Sequence, residues 1–244
     1  MTVPRPKVLK NPLRNPKIWG LAGKVLPKEL MWAIGARVEI SFWSDFLKNP
    51  RSYFEFAMDC GSEVQDEISF LLDTTKDWPY YILDVGSGPL TRVGKRFKGK
   101  PLVVYPTDPL AGSYRDLMKA NKVNPPVMPI PIAAERLSEN FPKNYFDLVF
   151  AQNSIDHCEN PEKALLEMLH VLKPGRYILM KHRVAEGARQ GYVGLHQHNL
   201  YKKGNEFYVN NLNFSKEYRD LCVTDCYLMN DNEGEWLKTL IMKR

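Results

Sequence analysis

Residues 80–88 read YYILDVGSG, and this stretch decides the fold. Five apolar positions bounded by a Gly-Ser-Gly corner describe a short buried strand that turns sharply at its end. Glycine allows that turn, because a residue without Cβ tolerates the backbone bend and lets a ligand come close. A second apolar run, Leu102-Val103-Val104-Tyr105, closes on Asp108, and Phe146 to Ala151 makes another. Tyr177 to Met180 follows a helix over Pro161–Val171 that ends at Lys173-Pro174-Gly175. A weaker strand over Val127–Ile132 contains Pro129 and Pro131, which suits an edge position. Strands alternating with helices predict a parallel, doubly wound sheet with right-handed crossovers. At the end of the chain, Leu221–Leu228 and Trp236–Met242 flank Asn230 to Gly234, the pattern of an antiparallel hairpin.

Before this core, Leu30, Ala33, Ile34, Val38, Phe42 and Phe46 recur at helical spacing, predicting a helix from Lys28 to Leu47 that stops near Asn49-Pro50. A second helix is expected over Ser62–Asp73. The predicted architecture is therefore an α/β seven-stranded, mostly parallel sheet with an antiparallel C-terminal hairpin and an N-terminal helical cap. Residues 1–77 form the arm and cap, and residues 78–244 the ligand-binding domain. Residues 183–214 read as a long irregular segment, expected to be a lid or substrate-binding stretch.

Charge is unevenly spread. Of the 34 basic residues, Arg5, Lys7, Lys10, Arg14, Lys17, Lys24 and Lys28 fall within residues 1–28, which contain no acid. The remainder, with 27 basic against 28 acidic residues, is close to neutral. The arm is expected either to meet anionic lipid or a phosphate-bearing substrate, or to be a solvated tail that packs. A neutral body lacks the basic surface of a nucleic-acid enzyme, so nucleic acid is not an expected partner. The four cysteines have no metal-binding or disulfide spacing and no secretory leader is evident, which predicts a cytoplasmic chain with reduced thiols. The arm would place it peripherally at the inner face of the membrane. The oligomeric state is not encoded legibly.

The Gly86–Gly88 corner alone is shared by many nucleotide folds. Thr91 stands where a third glycine of the dinucleotide pattern would be, and no phosphate-loop lysine follows. Asp108, at the end of the next strand, supplies what a ribose needs, a carboxylate that accepts from hydroxyls. As a set, ILDVGSGP (82–89), VVYPTDPLA (103–111), FDLVFAQNSIDH (146–157) and LLEMLHVLKPGRYILMKH (165–182) resemble the class I S-adenosylmethionine-dependent methyltransferases, of the type 11 kind. The resemblance spans roughly residues 78–243. It implies S-adenosylmethionine as cofactor, with Gly86, Ser87 and Gly88 beside its methionine part and Asp84 organising the turn. Asp108 and Pro109 would lie at the ribose, and Gln152 and Asn153 beside the donor. Family members often carry an acid before Ala-Glu-x-Leu for the adenine amino group. Here Ala133 stands there, so the adenine falls to backbone groups around Ala134 or to Glu135. A narrower likeness, carried by residues 86–90, 108–111 and 192–197, is to bacterial methyltransferases of cell-surface glycan and polysaccharide synthesis.

That likeness points to O-methylation of a sugar or glycan-linked hydroxyl, with another small molecule or RNA as alternative acceptors and a non-catalytic scaffold as the alternative class. An alcohol acceptor gains from a base. His157, with Asp156 beside it, is the expected base, and His182 ends the next strand at the same sheet edge. His196 and His198 are expected to hydrogen-bond substrate. Alternate residues on an extended chain share a face, so these two could join Asp156 or Glu186 around a metal, but no HxxxD or HExxH spacing supports one and none is expected.

Overall fold

The computed structural model describes residues 15–50, 53–72, 78–204, 206–211, 215–217, 223–231 and 234–244. Arg5, Lys7, Lys10 and Arg14 of the basic arm lie outside them, as do Asn232 and Glu233 of the terminal hairpin. Among the described residues, no helix is long and apolar enough to cross a membrane.

Helix α1 (Pro16–Val25) fits between two prolines, with Pro16 in its first turn and the Asn15 side chain accepting from the Lys17 N–H. Proline is tolerated there because the first-turn N–H groups have no intrahelical partner. Helix α2 (Lys28–Lys48) runs as its apolar spacing predicts, and its last turn ends at Asn49. The helix expected over Ser62–Asp73 contracts to one turn, Asp66–Ser69. Tertiary pairing overrides the local pattern: Val64 N–H donates to Arg96 O, and the Lys95 and Arg96 N–H groups donate to Ser62 O. Val64, Ile68 and Leu72 are nonetheless buried, so the periodicity located the buried face but not the helix length.

The central sheet contains β1 (Tyr81–Val85), β2 (Val103–Thr107), β3 (Phe146–Gln152) and β4 (Leu172–Arg183), completed near the C-terminus by β8 (Val223–Asp231) and β9 (Gly234–Met242). Its spatial order is β8-β9-β4-β3-β1-β2. The strands β2, β1, β3 and β4 are mutually parallel, while β9 runs antiparallel to β4 and to β8. The sheet has six strands among the described residues, rather than the expected seven. Residues 127–132 contribute a single bridge, Thr107 with Ile130, held by Ile130 N–H to Pro106 O and Asp108 N–H to Ile130 O. Pro129 and Pro131 have no N–H to extend that ladder.

Helices α3 (Ala111–Ala120) and α4 (Pro161–Val171) are the crossovers; Asn160 caps the latter by accepting from the Lys163 N–H. All but the last residue of β3 are buried, as expected of a parallel strand covered on both faces. The expected irregular segment at 183–214 is more ordered than the sequence suggests. It holds a helical turn, Glu186–Arg189, and then β5 (Asn199–Lys203) and β6 (Glu206–Asn210), which pair with β7 (Ser215–Glu217) in a small antiparallel sheet. Residues 205 and 212–214 lie outside the described ones. Tyr201 stacked on Tyr208, with ring centroids 5.4 Å apart, supports the first pair of strands.

Chain direction reverses around β1: the connection from β1 leads to β2 on one side, and the next one crosses to β3 on the other. Loops leaving the carboxyl ends of β1 and β3 therefore diverge, and a crevice opens between them, the usual ligand site of such sheets.

Candidate functional site

The crevice continues into a cavity of about 1050 Å³. That is at or above the roughly 300–1,000 Å³ of ordinary small-molecule sites, space for two reactants side by side. Its floor is the corner after β1. Gly86 and Gly88 both have left-handed backbones, with φ of 67° and 64°. A Cβ on Gly86 would lie 2.3 Å from Ser154 Cβ, and one on Gly88 would lie 2.7 Å from Trp43 Cζ2. Both positions therefore need glycine for space as well as conformation.

Two buried carboxylates shape this corner. Asp84 accepts from the Thr91 hydroxyl at 2.6 Å, and burial pushes its pKa up to about 6. Thr91, which disqualifies the dinucleotide pattern, thus has a positive role that spacing alone did not reveal. Asp108 accepts from Gly88 N–H at 3.0 Å and from Leu110 N–H at 2.8 Å, so it ties the end of β2 to the glycine corner. Burial raises its pKa to about 7. Each of its oxygens still has a lone pair to offer a ligand hydroxyl. Ser87, Pro109, Ala134, Glu135, Gln152 and Asn153 all line the same cavity. Glu135 accepts from the Asn160 N–H, and Asn153, at φ 50°, accepts from the Arg183 N–H.

In the structure Trp32, Phe42 and Trp43 line the cavity, and Glu39 enters it while accepting from Trp43 Nε1 at 2.7 Å. Arg92, whose guanidinium lies 3.7 Å from the Tyr53 ring centroid, brings a cation to the same space. The clue to α2 lay in Gly88, since a glycine that must stay bare implies something pressed against it.

The histidines separate into distinct groups. His157 Nε2 lies 2.9 Å from His196 Nδ1, and His196 Nδ1 lies 2.7 Å from Asp156 Oδ2. Both rings line the cavity, while Asp156 is 1% exposed. Burial alone would raise the pKa of Asp156, but His157, His196 and His182 around it hold it well below the usual carboxylate range. Burial works to lower that of His196, and the hydrogen bond to Asp156 outweighs it and raises it. The loops carrying the cluster are stitched together, because the Gln197 and His198 N–H groups both donate to Asp156 O.

His182 and His198 stand elsewhere. His182 Nε2 accepts from the Ser154 and Ile155 N–H groups at 3.3 and 3.1 Å, and burial pushes its pKa down to about 4. Its lone pair is committed to holding the turn after β3, so the geometry gives it no proton to move. His198 is 4% exposed and is not among the cavity-lining residues; its Nδ1 is 3.4 Å from Asn211 Nδ2. The alternation of an extended strand that would have paired it with His196 is broken, because the 190–198 segment is a turning loop whose Gly194 has φ 68°.

Residues 83–180, from β1 through β4, match a family model described as a methyltransferase domain. They form a class I S-adenosylmethionine-dependent methyltransferase domain. The enzyme uses S-adenosylmethionine, and the glycine corner, the Asp108 carboxylate and the cavity volume fit that group. No curated protein matches the chain. Among solved structures, a Burkholderia thailandensis 1,6-didemethyltoxoflavin-N1-methyltransferase, bound to 1,6-didemethyltoxoflavin and S-adenosylhomocysteine, is 14% identical. The alignment covers 85% of this chain and 88% of that one, with a TM-score of 0.46. A Methanosarcina mazei S-adenosylmethionine-dependent methyltransferase is 16% identical over 74% of this chain and 98% of its own, at a TM-score of 0.44. One from Clostridium acetobutylicum is 12% identical over 85% and 98%, at 0.42. Likeness at this level says nothing about the methyltransferase's acceptor.

Proposed function

We propose that this methyltransferase acts on a hydroxyl of a sugar or glycan-linked acceptor, with His157 taking the hydroxyl proton. The observation that carries the reading is the His157–His196–Asp156 cluster in the wall of the cavity that also holds the glycine corner. S-adenosylmethionine supplies a methyl carbon that the acceptor oxygen takes in line, the carbon–sulfur electron pair returning to sulfur. Such a displacement depends mostly on positioning. The chain's part is to seat both reactants and to receive one proton.

Donor seating falls to Gly86–Gly88, to Asp108 at the ribose, and to Ala134, Glu135, Gln152 and Asn153, with Pro109 and Ser87 beside them. Arg92 offers charge for the donor's carboxylate. On the acceptor side, Glu186, Gln190 and Arg183 share the cavity with Trp32, Phe42 and Trp236. Sugars suit that mixture, because their hydroxyls hydrogen-bond while their C–H faces lie on aromatic rings. Helix α2 acts as the cap, and residues within 183–196 supply the acceptor wall. The basic arm is a peripheral contact for anionic lipid or a phosphate-bearing substrate, placing the enzyme at the cytoplasmic face of a membrane.

Incubation with isotopically labelled donor and a panel of saccharides, small molecules and RNA, read by mass spectrometry, tests the acceptor. One labelled methyl on a saccharide is expected; methyl on RNA or on a non-sugar instead would refute the proposal. The donor assignment makes a separate prediction. A ribose hydroxyl donates to the ionised form of Asp108, whose pKa burial raises to about 7. S-adenosylhomocysteine affinity should therefore rise with pH through this region, by up to about tenfold per unit below pH 7, and level off above it. Asp108→Ala should weaken binding at pH 8 and flatten the profile. Calorimetric titration that finds wild-type affinity in this variant would remove Asp108 from the donor site.

A further inference from the structure

Three lone-pair atoms converge at one point of the cavity wall. His157 Nε2, His196 Nδ1 and Asp156 Oδ2 are separated by 2.9, 2.7 and 3.6 Å. Protons serve this triangle badly. A neutral imidazole has one N–H and one lone pair. If His196 Nδ1 carries the proton given to Asp156, a lone pair on His157 Nε2 can only share that one N–H with the carboxylate. If His157 Nε2 carries a proton as well, two N–H groups confront each other. The hydrogen bonding of the Asp156 carboxylate falls on Oδ2 alone, because the residue is almost fully buried and its other oxygen, Oδ1, has no hydrogen-bond partner.

A cation would satisfy all three atoms together. Bonds of about 2.0–2.2 Å to a first-row divalent ion put neighbouring ligand atoms roughly 3.0–3.5 Å apart, and the observed separations bracket that range. Two imidazoles with one carboxylate are a donor set suited to such ions, whereas magnesium or calcium would call for more oxygen. The framework is set without the ion, because Asp156 O accepts from the Gln197 and His198 N–H groups and so fixes His196 against the 156–157 turn. Supports of this kind orient ligands in metal centres.

We propose that Asp156, His157 and His196 form a binding site for a divalent transition cation, zinc being the reference ion, with an open position facing the cavity. The proposal stands apart from the saccharide reading. With the site filled, His157 is a ligand, and the cation lowers the pKa of an acceptor oxygen placed on it. With the site empty, His157 remains the base.

The test uses the full chain, stripped with chelator and titrated calorimetrically with Zn²⁺, and with Co²⁺ followed by visible absorption. One equivalent is expected to bind, with ligand-field bands for Co²⁺. Asp156→Asn and His196→Ala should weaken binding by ~10²-fold or more, while the exposed His170→Ala should not change it. S-adenosylhomocysteine binding reports whether each variant is folded. No stoichiometric binding, or binding indifferent to His196→Ala, would overturn the site. If the cation binds as expected and no saccharide is methylated, only the acceptor reading falls.

Discussion

Gly86→Ala is expected to cost the enzyme both stability and donor binding. The substitution meets two penalties. A non-glycine residue at φ 67° is strained, at roughly 1–3 kcal/mol. The new methyl would also lie 2.3 Å from Ser154 Cβ and 2.8 Å from Ser154 Oγ, a clash worth about 1–3 kcal/mol in a packed interior. Ser154 cannot simply rotate away, because its hydroxyl donates to Val85 O at 2.8 Å in a buried setting. Together these consume a large part of the roughly 5–15 kcal/mol by which a domain is stable. At about 2–4 °C per kcal/mol, Tm should drop on the order of 10 °C, and S-adenosylhomocysteine affinity should fall with it. Adding Ser154→Gly removes the clash but leaves the strain, so the double variant should recover part of the loss and no more. A thermal scan in which Gly86→Ala matches the wild type would contradict the packing described at the end of β1.

His157→Ala is expected to lower turnover by about 10²-fold or more with S-adenosylhomocysteine binding retained. The ring lies in the cavity wall and its Nε2 belongs to the cluster with His196 and Asp156, whereas the proposed donor contacts lie at the glycine corner and Asp108. His182→Ala should behave differently. It leaves the buried Ser154 and Ile155 N–H groups without their acceptor, a loss of about 1–3 kcal/mol seen chiefly in Tm. Single-turnover rates and thermal scans on both variants separate a proton-handling residue from a structural one. Undiminished turnover in His157→Ala would take the residue out of the mechanism.

The glycine corner and the carboxylate beside it were legible because their requirements are local. A strand, a corner that admits only glycine and an acid one strand later are written at short range, and each is tied to a backbone need. The histidine cluster was only partly legible. Asp156 and His157 were singled out as neighbours in the chain, but their partner proved to be His196 alone. His198 and His182 have the same chemistry, yet one is buried off the cavity and the other is spent on backbone N–H groups. Nothing in composition distinguishes these four rings. The loop path does.

The sequence by itself determined the parallel core, the glycine corner, the carboxylate after β2 and the antiparallel hairpin, since buried-strand patterning and turn chemistry depend on neighbours along the chain. Tertiary structure alone decided that residues 127–132 form a bridge instead of a strand, that α2 lays Trp43 against Gly88, and that two histidines and an aspartate share one point. These outcomes rest on contacts between residues as many as 45 positions apart in the chain, from Trp43 to Gly88. Whether a proline finds a ladder, or an imidazole a lone pair, is settled by what arrives from elsewhere in the chain.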